Sequence, residues 1–249
     1  MSEQVRKPTG VVYADRVWPV VAGYELVSKY YDEWYWQSFW MANERPLIVH
    51  ELTRFRSCAS PALDVGTGTG LYLDELVRLG IECVGVDVCK AMLDEARKKL
   101  PTSVRLICAD VKKLPFPDKT FNLIIACRVL SHVDNLNAAI QELGRVTNTG
   151  CCLIVSDVSA CHNYTRTRIP TPDGDVHMET YKHTVDQLVA AAEFSEYWKV
   201  DCIKSVAYKD LLWKPQPSEY PAIDMSSTRP IFFYGVLTRL KKDEEEKPR

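Results

Sequence analysis

Any apolar run near the roughly 18 residues needed to cross a bilayer is missing from this sequence. The start, Met1-Ser2-Glu3-Gln4, is too polar for a secretory signal. An excess of one charge is missing too: 31 Lys and Arg stand against 33 Asp and Glu, a formal net charge of −2. That balance gives no overall basic field for nucleic acid or an anionic membrane. Nine cysteines are present, yet no C-x-x-C pair or Cys/His run has zinc-ligand spacing. They read as reduced thiols acting as small core hydrophobes, and no metal site is expected. No internal repeat occurs, and the charge run Lys241 to Arg249 reads as a disordered tail. These absences leave a soluble, cytoplasmic, single-domain globular protein, a monomer or a homodimer.

From about Asp15 to Phe55 the chain reads as helical, with no glycine after Gly23. Tyr24, Tyr30, Tyr31, Trp34, Tyr35, Trp36, Phe39 and Trp40 crowd there. From Pro61 short apolar runs alternate with amphipathic segments. Strands are expected at 61–65, 82–87, 104–108, 121–126 and 151–155, with helices at 71–79, 90–100 and 136–146. That rhythm predicts an α/β fold: a parallel sheet with helices on both faces. Beyond Asp157, Pro172-Asp173-Gly174-Asp175 predicts the turn of a hairpin between Arg166 and Tyr181. Thr184-Val185-Asp186-Gln187 has capping-box spacing, so a helix should run from Val185 to about Phe194. Trp198 to Val206 and Pro230 to Leu237 make two final strands. The organisation is an N-terminal helical cap over 1–57, a core over 58–240 with a hairpin insertion at 160–183, and the tail 241–249.

In such sheets the loop after the first strand is where nucleotides bind. Here it carries Gly66-x-Gly68-x-Gly70, with Asp64 two residues before the first glycine. A dinucleotide fingerprint would read G-x-G-x-x-G, its helix facing a pyrophosphate. S-adenosylmethionine (SAM) has no phosphate, and a carboxylate suits the ammonium of its amino-acid end. Asp87 closes the second strand, where a carboxylate either accepts from ribose hydroxyls or caps a helix. Asp110 follows the third strand, positioned to accept from an adenine amino group beside a backbone donor at Val111, or to cap a turn. Together the three acids favour SAM over NAD. No Tyr-x-x-x-Lys pair supports an oxidoreductase.

Leu63 to Gly70 resembles motif I of the class I SAM-dependent methyltransferases. Leu114-Pro115-Phe116-Pro117-Asp118-Lys119-Thr120-Phe121-Asn122 is similar to the L-P-F-P-D-x-x-F-D segment of their type 11, ubiquinone/menaquinone-methyltransferase-like branch. Leu130-Ser131-His132-Val133 and Glu142-Leu143-Gly144-Arg145-Val146 resemble its segments around the helix after strand four. Asn122 departs from the usual Asp, and Gly150-Cys151 from a usual Gly-Gly turn. The resemblance implies a Rossmann-like three-layer sandwich whose mostly parallel seven-stranded sheet has the order 3-2-1-4-5-7-6. It implies SAM as cofactor and S-adenosylhomocysteine as product. By position, Gly66, Thr67, Gly68 and Gly70 pass under the methionine part. Asp87 and Val88 take the ribose, and Asp110 and Val111 the adenine. Met92 packs on the adenine face or in the core. Cys127 and Arg128 line the methionine end, and Tyr31, of the pair Tyr31-Asp32, reaches the cofactor carboxylate.

For the acceptor, aromatics on nearly every face of 30–36 exceed what one core stripe requires. Trp34, Tyr35 and Trp36, with Tyr164 and Tyr181, are therefore expected to line an acceptor pocket, the first three as a lid. The plainer reading is that these rings dock the helices on the sheet. His162 or His177 is a candidate base; His177 and Tyr181, four apart, would share a side of an extended hairpin. His132 reads equally as structural or functional. Ala126-Cys127-Arg128-Val129 stands where an Asn-Pro-Pro-Tyr or Asp-Pro-Pro-Tyr signature of base or glutamine methylation would be. The expectation is a small-molecule acceptor, a secondary or specialised metabolite methylated on O, N or C. The alternatives are a non-catalytic SAM-binding scaffold or subunit, or a protein or RNA methyltransferase.

Overall fold

The computed structural model describes residues 16–162, 166–214 and 228–241. A two-residue strand, β1 (Val17–Trp18), precedes α1 (Val20–Val27). A 3-10 turn at 28–30 leads to α2 (Tyr35–Asn43) and α3 (Arg45–Phe55). The helical reading of this region is thus interrupted at 31–34. Then come β2 (Ala62–Val65), α4 (Leu71–Arg78), β3 (Cys83–Asp87), α5 (Lys90–Lys99) and β4 (Arg105–Cys108). Next are β5 (Phe121–Cys127), α6 (Leu136–Val146), β6 (Thr147–Val158), β7 (Thr167–Thr171) and β8 (Gly174–Met178). The last elements are α7 (Val185–Phe194), β9 (Trp198–Ala207) and β10 (Pro230–Arg239).

The large sheet has seven strands in the order β4-β3-β2-β5-β6-β10-β9. β2, β3, β4, β5 and β6 pair in parallel, and β10 lies antiparallel between β6 and β9. Strands this deep in a sheet are apolar on both faces, and alternate residues feed opposite cores. In β5, Leu123 and Ile125 join the core under α2, α3 and α4, whereas Ile124 and Ala126 join the core under α6 and α7. β6 starts at Thr147, earlier than the apolar run at Cys151 suggests, because Thr147 already pairs with Phe121.

The capping box forms as the spacing predicts: Gln187 N donates to Thr184 Oγ1 at 3.1 Å, and Thr184 N to Gln187 Oε1 at 2.9 Å. The hairpin β7–β8 also forms, with Thr171 opposite Gly174. β8 then pairs in parallel with β1, Trp18 opposite Met178, which ties the start of the cap to the insertion. Two residues are too few to announce a strand in a sequence. α1 lies so close on β8 that a Cβ at Gly23 would stand 2.2 Å from Met178 Cγ. The nine cysteines are all free. Among the described residues no helix is long and apolar enough to cross a membrane, and no group of three His, Cys, Asp or Glu could hold a metal ion.

Helix propensity and packing disagree at Gly144, inside α6. Alanine is favoured over glycine there by about 1 kcal/mol in an exposed helix. A Cβ at this position, however, would meet the Tyr197 ring at 2.4 Å. Overpacking wins: Gly144→Ala should lower stability by about 1–3 kcal/mol in a denaturant melt. A stabilised variant would contradict this packing.

Candidate functional site

The carboxyl ends of β2, β3, β4 and β5 open into one cavity of about 780 Å³. The loop after β2 folds tightly back on the sheet: Gly66 N and Thr67 N both donate to Val86 O, at 2.8 and 3.0 Å. Gly66 has φ +68°, and a Cβ there would lie 2.4 Å from Val129 Cγ2, so only glycine lets the loop pass. Met92 sits beneath this loop, buried against Gly68.

Asp64 is 2% exposed and accepts a hydrogen bond from Thr67 Oγ1. Burial raises its pKa from 3.8 to about 7, against the pull of the Thr67 bond. Asp87 accepts from Gly68 N at 2.9 Å and from Cys89 N at 2.8 Å. Burial raises its pKa too, and those backbone donors oppose the rise. The cap reading and the ligand reading therefore coexist at Asp87: it ties the glycine loop to the start of α5 and still lines the cavity. Asp110 likewise caps its own turn through Lys112 N at 2.8 Å while lining the cavity beside Val111.

Arg128, half-buried and in the left-handed region with φ +56°, also lines the cavity. Its Nε lies 2.9 Å from Glu44 Oε2, and its Nη1 lies 3.4 Å from Tyr31 Oη. Glu44 has no exposed surface and also accepts from Tyr72 Oη at 3.0 Å and Ser156 Oγ at 2.6 Å. Burial works against the guanidinium charge, but the Glu44 carboxylate beside it holds its pKa above the ordinary value. Next to Tyr31, Asp32 accepts from Thr69 Oγ1 and Lys99 Nζ, both at 2.6 Å. The turn after α1 is thereby pinned over the glycine loop.

Tyr31, Asp64, Gly66, Thr67, Gly68, Gly70, Asp87, Val88, Met92, Asp110, Val111, Cys127 and Arg128 all line this cavity. The acceptor residues divide. Tyr181 lines the cavity; Trp34, Tyr35, Trp36, His162 and His177 do not. Trp36 stacks on Trp40 at 6.0 Å and meets Phe39 edge-on at 5.1 Å, in the core between α2 and β10. Trp34 is buried in the same cluster, and Tyr35 faces outward, 43% exposed. The three do not form a lid; the ring density fills core instead. His162 and both tryptophans line an adjoining crevice of about 30 Å³. Burial and the nearby Lys182 push the His162 pKa down to about 4. His177 lies on β8 opposite the buried Val176 and Met178, and Tyr181 falls beyond the strand end, so the two share no strand face. Tyr164 lies outside the described residues. Glu44 had no local signal and acquires its place only through tertiary contacts, while the partnership of Tyr24 with His132 is equally invisible in the local sequence of either.

Residues 63–155 match the family described as "Methyltransferase domain". The chain is 29% identical over 168 residues to a malonyl-[acyl-carrier protein] O-methyltransferase of Legionella pneumophila, covering 66% of this chain and 51% of that protein. It is 34% identical over 97 residues to a demethylmenaquinone methyltransferase of Corynebacterium urealyticum, covering 39% of this chain and 41% of that one. The chain thus spans about half the length, or less, of these curated relatives. Among solved structures, the [4+2]-cyclase SpnF superposes with a TM-score of 0.65 at 17% identity, covering 89% of this chain and 96% of that one. At that identity the likeness is one of fold.

The raised pKa of Asp64 has a consequence for stability. Between pH 3.8 and about 7 the folded protein keeps a proton that the unfolded chain releases. The favourable contribution is complete below 3.8 and is lost as pH rises through about 7. Asp64→Asn should therefore match the parent near pH 4 and exceed it by about 2–4 kcal/mol at pH 8. Paired thermal melts at the two pH values measure this, and a less stable variant at pH 8 would count against it.

Proposed function

We propose that this chain, a member of the SAM-dependent methyltransferase family through its residues 63–155, binds SAM at the carboxyl edge of its sheet and methylates a small-molecule acceptor. The observation that carries the reading is the set Asp64, Asp87 and Asp110 lining one cavity at the ends of successive strands. SAM offers hydrogen-bond donors at three places in matching sequence: its ammonium, its ribose hydroxyls and its adenine amino group. A phosphate-bearing nucleotide would meet three carboxylates and be repelled. Arg128, charged and held by Glu44, supports the cofactor carboxylate together with Tyr31.

When bound, SAM supplies a methyl group already activated by its sulfonium, so the protein's contribution is proximity, orientation and exclusion of water. Asp32 contributes by fastening the cap across the glycine loop through Thr69 and Lys99. The remaining wall, from Val20, Val21 and Tyr24 of α1 and Tyr181 after β8, is aliphatic and aromatic, which favours a small organic acceptor. The relatives carry different acceptors in their names, an acyl-carrier-bound malonyl group and a demethylmenaquinone. The cap and the insertion, rather than the 63–155 core, are where this chain's acceptor preference resides. The net charge of −2 favours a small molecule over nucleic acid.

Calorimetry with SAM and S-adenosylhomocysteine tests the reading. Binding should weaken as pH falls below about 7, where Asp64 takes up its proton. Asp87→Ala should reduce affinity at least tenfold, about 1.4 kcal/mol or more. A chain that binds neither compound would remove the basis for the assignment.

A further inference from the structure

His132, in the 3-10 turn that follows β5, joins separate parts of the cavity wall. Its Nδ1 lies 3.1 Å from the Glu179 carbonyl oxygen, after β8. Its Nε2 lies 2.9 Å from the Tyr24 hydroxyl on α1 and 3.3 Å from Thr167 Oγ1 on β7. A carbonyl oxygen only accepts, so the ring proton is on Nδ1 and Nε2 presents a lone pair. The nearer of the two hydroxyls, Tyr24 O–H at 2.9 Å, then donates to Nε2. Tyr24 and His132 both line the cavity that holds Asp64, beside Arg128 and Tyr31. The Tyr24 ring meets the imidazole edge-on at 5.2 Å and Tyr31 at 5.9 Å, which fixes the hydroxyl's direction.

We propose that Tyr24 and His132 form a proton relay for an acceptor that attacks through a neutral hydroxyl, making this chain an O-methyltransferase. The proposal rests on the methyl-transfer reading above. In the step, the acceptor oxygen forms its bond to the methyl carbon while the carbon–sulfur bond breaks, its electron pair returning to sulfur. The acceptor proton passes to Tyr24 Oη as the tyrosine proton passes to His132 Nε2. The resulting imidazolium keeps its Nδ1–H on Glu179 O and later releases one proton to water. Tyr24 touches the acceptor; His132 acts through Tyr24 and sets its polarity.

The weakness of the base selects the acceptor. Burial pushes the His132 pKa down to about 4, with the Glu179 bond only partly opposing. The groups hydrogen-bonded to the ring are Tyr24, Thr167 and the Glu179 backbone, and the crevice beside it holds Tyr31, Arg128 and His162; no carboxylate stands among these to raise it. A hydroxyl oxygen that is gaining a methyl group is a strong acid and gives its proton even to so weak a base. An alkylammonium, near pKa 10 like lysine, does not.

The test incubates the full chain with methyl-carbon-13 SAM and a deproteinised extract of the cells that express it. The carbon shift of the labelled product identifies the methylated atom. The expected label is an O-methyl group. Tyr24→Phe and His132→Asn should each slow its formation about 100-fold. Affinity for S-adenosylhomocysteine should stay within about twofold of the parent, leaving the loss in kcat. Asparagine at 132 keeps a donor for Glu179 O and removes the Nε2 lone pair that faces Tyr24 and Thr167; a purely structural histidine would lose melting temperature but not kcat. Label on nitrogen, carbon or sulfur, or full activity in either variant, overturns the relay while methyl transfer stands. No labelled product despite SAM binding overturns the methyl-transfer reading itself, and the relay with it. Should either variant fail to fold, nitrogen-15 NMR of His132 in the wild-type S-adenosylhomocysteine complex decides. A proton on Nδ1 supports the relay, and one on Nε2 refutes it.

Discussion

A buried ion pair organises the region around the cavity. Arg128 and Glu44 meet at 2.9 Å, Glu44 with no exposed surface and the Arg128 side chain 13% exposed. Removing both charges from water is expensive, and breaking such a pair by deleting one partner typically costs about 3–5 kcal/mol. The pair is tolerable here because Glu44 is also satisfied by Tyr72 of α4 and Ser156 of β6, while Arg128 lies over the Trp40 ring and reaches Tyr31. Glu44 sits at the junction of α2 and α3, Arg128 just past β5. One carboxylate thus locks the N-terminal helices onto the functional edge of the sheet. Tyr31, Asp32 and the turn that carries them are placed by this lock.

Much of this was readable in the sequence, for identifiable reasons. Asp64, Asp87 and Asp110 follow apolar runs at strand ends, so their spacing reports their location. The α7 cap was legible because both of its partners, Thr184 and Gln187, lie within one helical turn. What escaped depends on residues distant in sequence. Glu44 meets Ser156 across 112 positions, and Tyr24 meets His132 across 108. Neither has a local pattern to betray it. The aromatic run 30–36 misled for a different reason. Rings at every helical face suggest an open binding surface, yet all but Tyr35 are buried or half-buried: Trp36 stacks on Trp40, and Trp40 meets Phe232 of β10.

The site also shows stability yielding to function. An aspartate forced into the interior at Asp64, with its proton held up to about pH 7, weakens the fold at neutral pH. Asparagine would fill the same space without that burden, but it could not offer a negative charge to an ammonium. Sites of this kind are where local rules of stability are expected to fail. The glycine at 66 makes the same point through shape: the close pass across Val129 excludes every side chain.

The placement of β10 bears on how the chain comes to be folded. β9 precedes β10, but among the described residues its partner in the large sheet is β10 alone, which also pairs with β6. Val158 and Phe232, adjacent across that ladder, are separated by the whole hairpin insertion, α7 and β9. During synthesis on a ribosome, β6 would therefore present a bare apolar edge until β10 emerges, and β9 would have nothing to pair with. Long-range pairing of this sort is slow and exposed to misassociation. The parallel half of the sheet can assemble as it is made; the antiparallel half must wait for one strand and then close at once.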